Sequence, residues 1–180
     1  MKIMFISDIH GMKTNLPLIR EKMKEFQCKK IVVLGDLYYV SPLVRMDKDY
    51  DPEAVQQFLN SFGDKLTCLN GNCDSDEEID ESPFPIMRGY YYLKTDGLDL
   101  YMTHGHLYNE NNWDKENTIL IFGHYHIPFI KEMGNNLYMN PGSISRPQDG
   151  FLPSYMIWDE KKFTIYDVNG TILAEKEMKK

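Results

Sequence analysis

The sequence is short of cysteine, of basic charge and of long apolar runs, and each shortage argues against a class of protein. Three cysteines, Cys28, Cys68 and Cys73, stand in 180 residues, an odd number with no C-x-x-C pair. That set suggests neither a disulfide framework nor a zinc ribbon, and a reducing, cytoplasmic setting fits it best. Lysine and arginine number 20 against 27 acidic residues, a formal charge of -7. General nucleic-acid binding is not expected of such a chain, because a phosphate backbone calls for a basic stripe. No apolar run approaches the roughly 18 residues of a membrane-spanning helix. The opening "MKIMFISDIHG" is too brief an apolar stretch for a signal-peptide core. The expectation is a soluble cytoplasmic protein with no membrane partner, long enough to bury one core without staples.

What is present is an alternation of strand and helix patterns. "KIMFIS", "KIVVLGD" and "KLTCLNGN" are short, β-rich apolar runs that read as buried strands. Between the first two, "TNLPLIREKMKEF" places Leu16, Ile19, Met23 and Phe26 at helical spacing, with Thr14 or Asn15 as a cap and Pro17 in the first turn. Between the second and third, "DPEAVQQFLNSF" reads as a helix capped by Asp51 with Pro52 at its first position. The first 75 residues or so therefore read β-α-β-α-β, a parallel sheet with crossover helices. The second half reads as short strands, with turns at Asp96-Gly97, "MGNN", "DEKK" and "VNG". The pattern predicts an α/β sandwich, its parallel N-terminal half packed on a more antiparallel C-terminal half. The acidic run "DSDEEIDESPFP", residues 74–85, reads as a solvated loop.

The residues that carry chemistry follow strands. Asp8 and His10 end the first ("SDIHG"), Asp36 the second ("LGDL") and Asn72 the third ("LNGNCD"). His104 ends a later strand ("YMTHGH"), and His124 and His126 end the next ("FGHYH"). Ligand sites in open α/β sheets form outside the carboxyl ends of strands, so these segments are expected to share one rim. All five histidines of the chain, His10, His104, His106, His124 and His126, fall in them. Imidazoles mixed with carboxylates suit borderline divalent metals. A pair of ions sharing Asp36 as a bridging carboxylate would lie roughly 3.5–4 Å apart, as in two-metal hydrolytic sites. Any one Asp or His after a strand is more often a cap or a turn residue. The conjunction of five such segments in a fixed order carries the reading.

That order, D-x-H, G-D, G-N, an isolated H, then G-H-x-H, resembles the signature of the calcineurin-like metallophosphoesterases. Here it stands as "SDIHG", "GDL", "GNCD", "THGH" and "GHYH". The small size and "NPGS" (Asn140 to Ser143) resemble the compact YfcE-like phosphodiesterase branch. The resemblance implies one calcineurin-like phosphoesterase domain over residues 1–180, a two-sheet β-sandwich flanked by helices in four layers, α/β/β/α. It implies two metal sites: Asp8, His10, Asp36 and His126 for one ion, and Asp36, Asn72, His104 and His124 for the other. Manganese is the first choice, with nickel, cobalt, zinc or iron as alternatives. The implied reaction is hydrolysis of a small phosphodiester by a metal-activated water. The rival readings are a phosphomonoesterase on the same site and a non-catalytic scaffold like the retromer's vacuolar sorting subunit. Intact ligand positions favour the enzyme. A homo-oligomer is compatible with the sequence.

One residue departs from the pattern. Most of the superfamily carries histidine after the asparagine, near the leaving-group oxygen; this chain carries Cys73. A neutral thiol is a weak donor and holds no positive charge, so Cys73 is either a catalytic part or a small filler. His106 is a candidate for orienting a ligand or touching substrate, although a partly buried histidine is the plainer reading. Arg45 and Arg146 are candidates to reach a phosphate, with surface ion pairing the commoner fate.

Overall fold

The computed structural model of the chain describes residues 1–39 and 47–178. Arg45, one candidate phosphate contact, lies outside them. Among the described residues, twelve strands and three α-helices follow one another, the helices all in the first half. The first half runs β1 (Ile3–Ile6), α1 (Leu16–Glu25), β2 (Lys30–Val33), α2 (Pro52–Asn60), β3 (Leu66–Leu69), α3 (Asp76–Asp80) and β4 (Ile86–Met87). The second half runs β5 (Tyr90–Thr95), β6 (Leu98–Thr103), β7 (Ile119–Phe122), β8 (Pro128–Met133), β9 (Asn136–Pro141), β10 (Ser154–Trp158), β11 (Lys162–Asp167) and β12 (Ile172–Glu177).

Two mixed sheets result. One has seven strands in the order β12-β11-β10-β1-β2-β3-β4, and the other has five in the order β5-β6-β7-β9-β8. β1, β2, β3 and β4 pair in parallel, as the crossover helices require. β6 pairs in parallel with β7, and β7 with β9. The expected sandwich of a parallel N-terminal half on a more antiparallel C-terminal half is corrected in one respect. β10 lies antiparallel to β1, with Met4 opposite Ile157, so the last three strands extend the first sheet. Both faces of β10 are buried, which suits a position inside a sheet that is covered on both sides.

Each central strand feeds two cores, because successive side chains point to opposite faces. Met4, Ile6, Ile31 and Val33 meet Leu16, Ile19, Val55 and Leu59 of the helices. Ile3, Phe5, Val32 and Leu34 meet Leu100, Met102, Ile121 and Met139 of the second sheet, with Met156, Trp158 and Phe163. The outer face of the second sheet presents Leu120, Phe122 and Tyr138, covered by Trp113 and Tyr125. Among the described residues this outer layer is a loop and not a helix. Its asparagines take up backbone groups that a helix would use: the Asn112 amide donates to the Leu107 carbonyl, and the Asn109 amide to the Gly105 carbonyl.

Both expected helices form. Asp51 caps α2 by accepting from the Ala54 N–H at 3.0 Å. Asn15 precedes α1 without capping it; its amide donates instead to the Ile144 carbonyl at 2.7 Å, fastening α1 to the segment after β9. The Asp96-Gly97 turn joins β5 to β6 with both residues at positive φ, 52° and 81°, the conformation of a two-residue hairpin loop. Residues 74–85 are not a plain solvated loop. Ser75 and Glu78 form a reciprocal capping box that starts α3, and Ile79 is buried.

Trp158 is 1 % exposed and stacks on Phe163 with ring centroids 4.4 Å apart, joining β10 and β11 to the inter-sheet core. Trp158→Ala should cost about 3–5 kcal/mol of folding free energy. Denaturant unfolding should show a lower midpoint at an unchanged slope; a loss under about 1 kcal/mol would show that this core repacks freely.

Candidate metal centre

The candidate ligands leave the carboxyl ends of parallel strands. Asp8 and His10 follow β1, Asp36 follows β2, and Asn72 and Cys73 follow β3. From the second sheet, His104 follows β6, and His124 and His126 follow β7. Ligand atoms of Asp8, His10, Asp36 and His126 all lie within 4.8 Å of one another. His104 continues the group, its Nε2 3.4 Å from Asp36 Oδ1 and 3.1 Å from Asn72 Oδ1. His124 stands beside it, with ring centroids 5.1 Å apart. The seven positions expected from the sequence therefore meet on one rim, the first four most tightly.

The histidines are oriented from behind. Nδ1 of His10 faces the Tyr39 carbonyl at 2.6 Å, that of His104 the Leu34 carbonyl at 2.7 Å, and that of His126 the Arg146 carbonyl at 2.6 Å. A carbonyl only accepts, so each Nδ1 carries a hydrogen, and it is Nε2 that turns inward, bare whenever the ring is neutral. His10 Nε2 and His126 Nε2 oppose each other at 3.4 Å, lone pair toward lone pair when both rings are neutral. Asp36 faces both ways: Oδ2 is 3.6 Å from His10 Nε2, and Oδ1 is on the His104 side. Asp8 is fully buried; its Oδ2 accepts from the His124 N–H at 3.1 Å, while its Oδ1 has no hydrogen-bond partner. His126 Nε2 lies 3.2 Å from that oxygen; with Nδ1 on Arg146 it donates there only when the ring is protonated.

The electrostatics call for positive charge. Burial pulls His104 down, but the Asp36 hydrogen bond and the Asp8 and Asp36 charges outweigh it and push the ring up to about 9. Burial likewise opposes the charged form of His126, yet its Asp8 contact holds it above its ordinary value. Burial alone would raise Asp36, but the His104 hydrogen bond and charge hold it far below the usual carboxylate range. His10 and His124 fall below their ordinary values, chiefly through burial.

The backbone is bent to make this possible. Asp8, His10, Asp36, His124 and His126 all have positive φ, between 50° and 66°. Such conformations cost on the order of 1–3 kcal/mol each and persist where the surroundings over-determine them. Two glycines allow the loops to close in. A Cβ on Gly71 would stand 2.0 Å from Asp36 Oδ1, and one on Gly123 would stand 1.8 Å from Ser7 Oγ.

Three bracing groups were not assigned roles from the sequence. Buried Asp74 accepts from the backbone N–H of Asp36 at 2.9 Å, Leu37 at 2.7 Å and Gly71 at 2.7 Å, tying the β2 loop to the β3 loop. Burial pushes its carboxyl up to about 6 even though those N–H groups favour the charge. Ser143 and Ser145 both donate to the Asp8 carbonyl at 2.8 Å. Asn140 donates to the Gly123 carbonyl at 2.6 Å. Within "NPGS", then, Asn140 and Ser143 hold the Asp8 and His124 loops together; the serine pair after β9 is the signal the sequence offered.

The remaining candidates are placed as follows. Cys73 sits at the rim; its N–H donates to Asp36 Oδ1 at 2.9 Å, and burial with the Asp36 charge pushes its thiol up to about 12. His106 lies beside the second group, ring centroids 5.4 Å from His104 and 6.4 Å from His124, with Nδ1 buried and unpartnered. Arg146 meets the site through its main chain, as the acceptor for His126.

Known proteins resemble this chain in sequence and fold. Residues 1–162 match the calcineurin-like phosphoesterase superfamily domain. The chain is 32% identical to phosphodiesterase YfcE of Escherichia coli strain K12 over 178 residues, 97% of each chain. A solved structure of the E. coli phosphoesterase YfcE superposes with a TM-score of 0.92 at 30% identity, covering 99% of this chain and 100% of that one. Vps29 of Entamoeba histolytica, solved in complex with zinc, shares the fold at a TM-score of 0.62 and 19% identity, covering 98% of this chain and 99% of that one. By its matching domain and its full-length relative, the chain belongs to the calcineurin-like phosphoesterase superfamily.

Proposed function

We propose that this chain, acting as one domain over residues 1–180, is a metal-dependent phosphodiesterase that hydrolyses small phosphodiesters. The observation that carries the reading is the buried Asp36 carboxylate turned toward two ligand groups at once. The donor set fits divalent cations. Asp8 Oδ1 is buried without a hydrogen bond, and two imidazole Nε2 atoms oppose each other at 3.4 Å, an arrangement that a cation stabilises. Asp8, His10, Asp36 and His126 would hold one ion; Asp36, Asn72, His104 and His124 would hold a second. The imidazole content supports manganese over magnesium, which prefers oxygen ligands and retained water. When bound, such a pair activates water as nucleophile and offsets charge on the phosphoryl oxygens. Retention of every ligand position favours this over a non-catalytic scaffold, and the name of the full-length relative favours a diester over a monoester. The three free cysteines, two of them buried, support a reducing cytoplasmic setting.

The chain's own residues do the rest. The three backbone carbonyls fix the imidazole tautomers. Asp74 and the serine pair hold the carboxylates in register. His106 is placed to orient His104 or a substrate oxygen. Cys73 positions Asp36 through its N–H, and its neutral thiol leaves an alkoxide leaving group poorly protonated.

The first test is metal content together with hydrolysis of an aryl phosphodiester. Chelation should abolish turnover, and manganese should restore it better than magnesium. Asp36→Ala should lose both ions, whereas His10→Ala and His104→Ala should each lose mainly one. Full metal occupancy in Asp36→Ala would remove the shared-carboxylate assignment.

The second test concerns the leaving group. Rates should fall steeply as leaving-group pKa rises. Cys73→His should raise alkyl-ester rates on the order of 10²-fold and change nitrophenyl-ester rates little. A shallow slope in the unaltered protein would show that another group already supplies the proton.

A further inference from the structure

The sheet edges are not protected alike. In the seven-stranded sheet β4 is only two residues long. β12 packs against β8, an edge of the five-stranded sheet, with Lys176 paired to Glu132. Shortness and mutual cover are common protections of an edge. β5, the remaining edge, has neither. It runs six residues, Tyr90–Thr95, in unbroken register with β6 and without proline. Its one charged residue, Lys94, lies 3.7 Å from Asp99 of β6.

The hairpin fixes which backbone groups face outward. The two-residue Asp96-Gly97 turn makes Thr95 and Leu98 a hydrogen-bonded pair, and such pairs alternate with open ones. Tyr91, Leu93 and Thr95 therefore bond to β6, whereas Tyr90, Tyr92 and Lys94 turn their N–H and C=O groups away from it. Among the described residues no other segment meets those groups. The side chains of the same residues are open as well, with Tyr90 41 % and Tyr92 43 % exposed. Both rings are held from one side. The Tyr92 centroid is 4.9 Å from that of Tyr101, and the Tyr90 centroid is 5.6 Å from Tyr101 and 5.9 Å from Trp113. Exposed aromatic rings with little freedom left to lose suit an interface.

We infer that β5 pairs antiparallel with β5 of a second copy of this chain, about a two-fold axis at Tyr92, joining the two five-stranded sheets into one. The edge is complementary to its own reverse. With Tyr92 on the axis, Tyr90 faces Lys94 of the second copy, an aromatic ring beside an ammonium. On the inner face Tyr91 meets Leu93. Beyond the strand the same register sets exposed Arg88 opposite the second copy's exposed Asp96, so unlike charges meet at both ends. No like charges come face to face, and the outward N–H and C=O groups of Tyr90, Tyr92 and Lys94 all find partners. An axis at Lys94 would instead set two ammonium groups together. A symmetric contact of this kind closes at two copies. Because the paired strands run oppositely, the two ligand rims point to opposite ends and both stay open.

The test is sedimentation equilibrium of the full chain and three variants, each checked for folding by circular dichroism. The unaltered chain is expected to be a dimer. Tyr92→Pro removes an outward N–H while leaving the ladder to β6 intact, and should weaken association on the order of tenfold or more. Tyr90→Lys sets an ammonium opposite Lys94 at both ends of the contact, and should weaken it on the order of tenfold. Adding Lys94→Glu to Tyr90→Lys should restore the dimer, which a misfolded chain would not do. A monomer throughout the soluble range would overturn the assignment and leave the edge to a strand of another protein. A dimer indifferent to Tyr92→Pro or Tyr90→Lys, or a Tyr90→Lys chain that Lys94→Glu fails to restore, would overturn it too. Mass is read here without turnover, so the outcome does not depend on the activity of the metal centre.

Discussion

Two buried carboxylates facing imidazole Nε2 atoms set the terms for the whole rim. Asp8 and Asp36 lie at 0 % and 2 % exposure. Buried charge is tolerated where it is paired or where it coordinates a cation. Two backbone donors meet part of the demand, the His124 N–H on Asp8 Oδ2 and the Cys73 N–H on Asp36 Oδ1, while Asp8 Oδ1 has no hydrogen bond among the described residues. The raised His104 and His126 are the protein's own response to that demand.

Holding these groups together requires backbone that would not adopt its conformation alone. Five candidate ligands sit at positive φ, and each lies next to a bond that anchors it. The Asp8 N–H donates to the Gly35 carbonyl at 3.1 Å, the His10 N–H to the Asp36 carbonyl at 2.9 Å, and the Gly123 N–H to the His104 carbonyl at 2.8 Å. Asp74 then clamps two loops of the first sheet, and Ser143 and Ser145 tie the Asp8 loop to the end of β9. The inter-sheet core brings the two sets of strand ends to one edge. Preorganisation of this kind is what a site needs to bind charge without rearranging.

Much of this was legible in the residues. "SDIHG", "LGDL" and "GHYH" announce themselves because short apolar strands end in metal-type side chains, and strand ends in an α/β fold point to a common place. Asp51 and Pro52 announced α2 through local chemistry alone. The destination of β10 was not legible, since an apolar antiparallel strand fits the edge of either sheet and only the packed core decides. α3 was hidden in an acidic run, its S-x-x-E cap overlooked among many charges. Asp74 was hidden for a related reason: an aspartate in a turn looks the same whether its carboxylate faces solvent or three backbone N–H groups. Arg146 drew notice for its guanidinium, whereas its carbonyl is the part that touches the site. Cys73 stands out in the sequence for its thiol, whereas its N–H also holds Asp36 Oδ1 at 2.9 Å.

The central claim is that one carboxylate, Asp36, serves two cations. Anomalous diffraction from crystals grown with manganese measures this directly. The account predicts two peaks roughly 3.5–4 Å apart, one among Asp8, His10, Asp36 and His126, the other among Asp36, Asn72, His104 and His124, with an Asp36 oxygen bound to each. A single peak, or two peaks of which one makes no contact with Asp36, would contradict it.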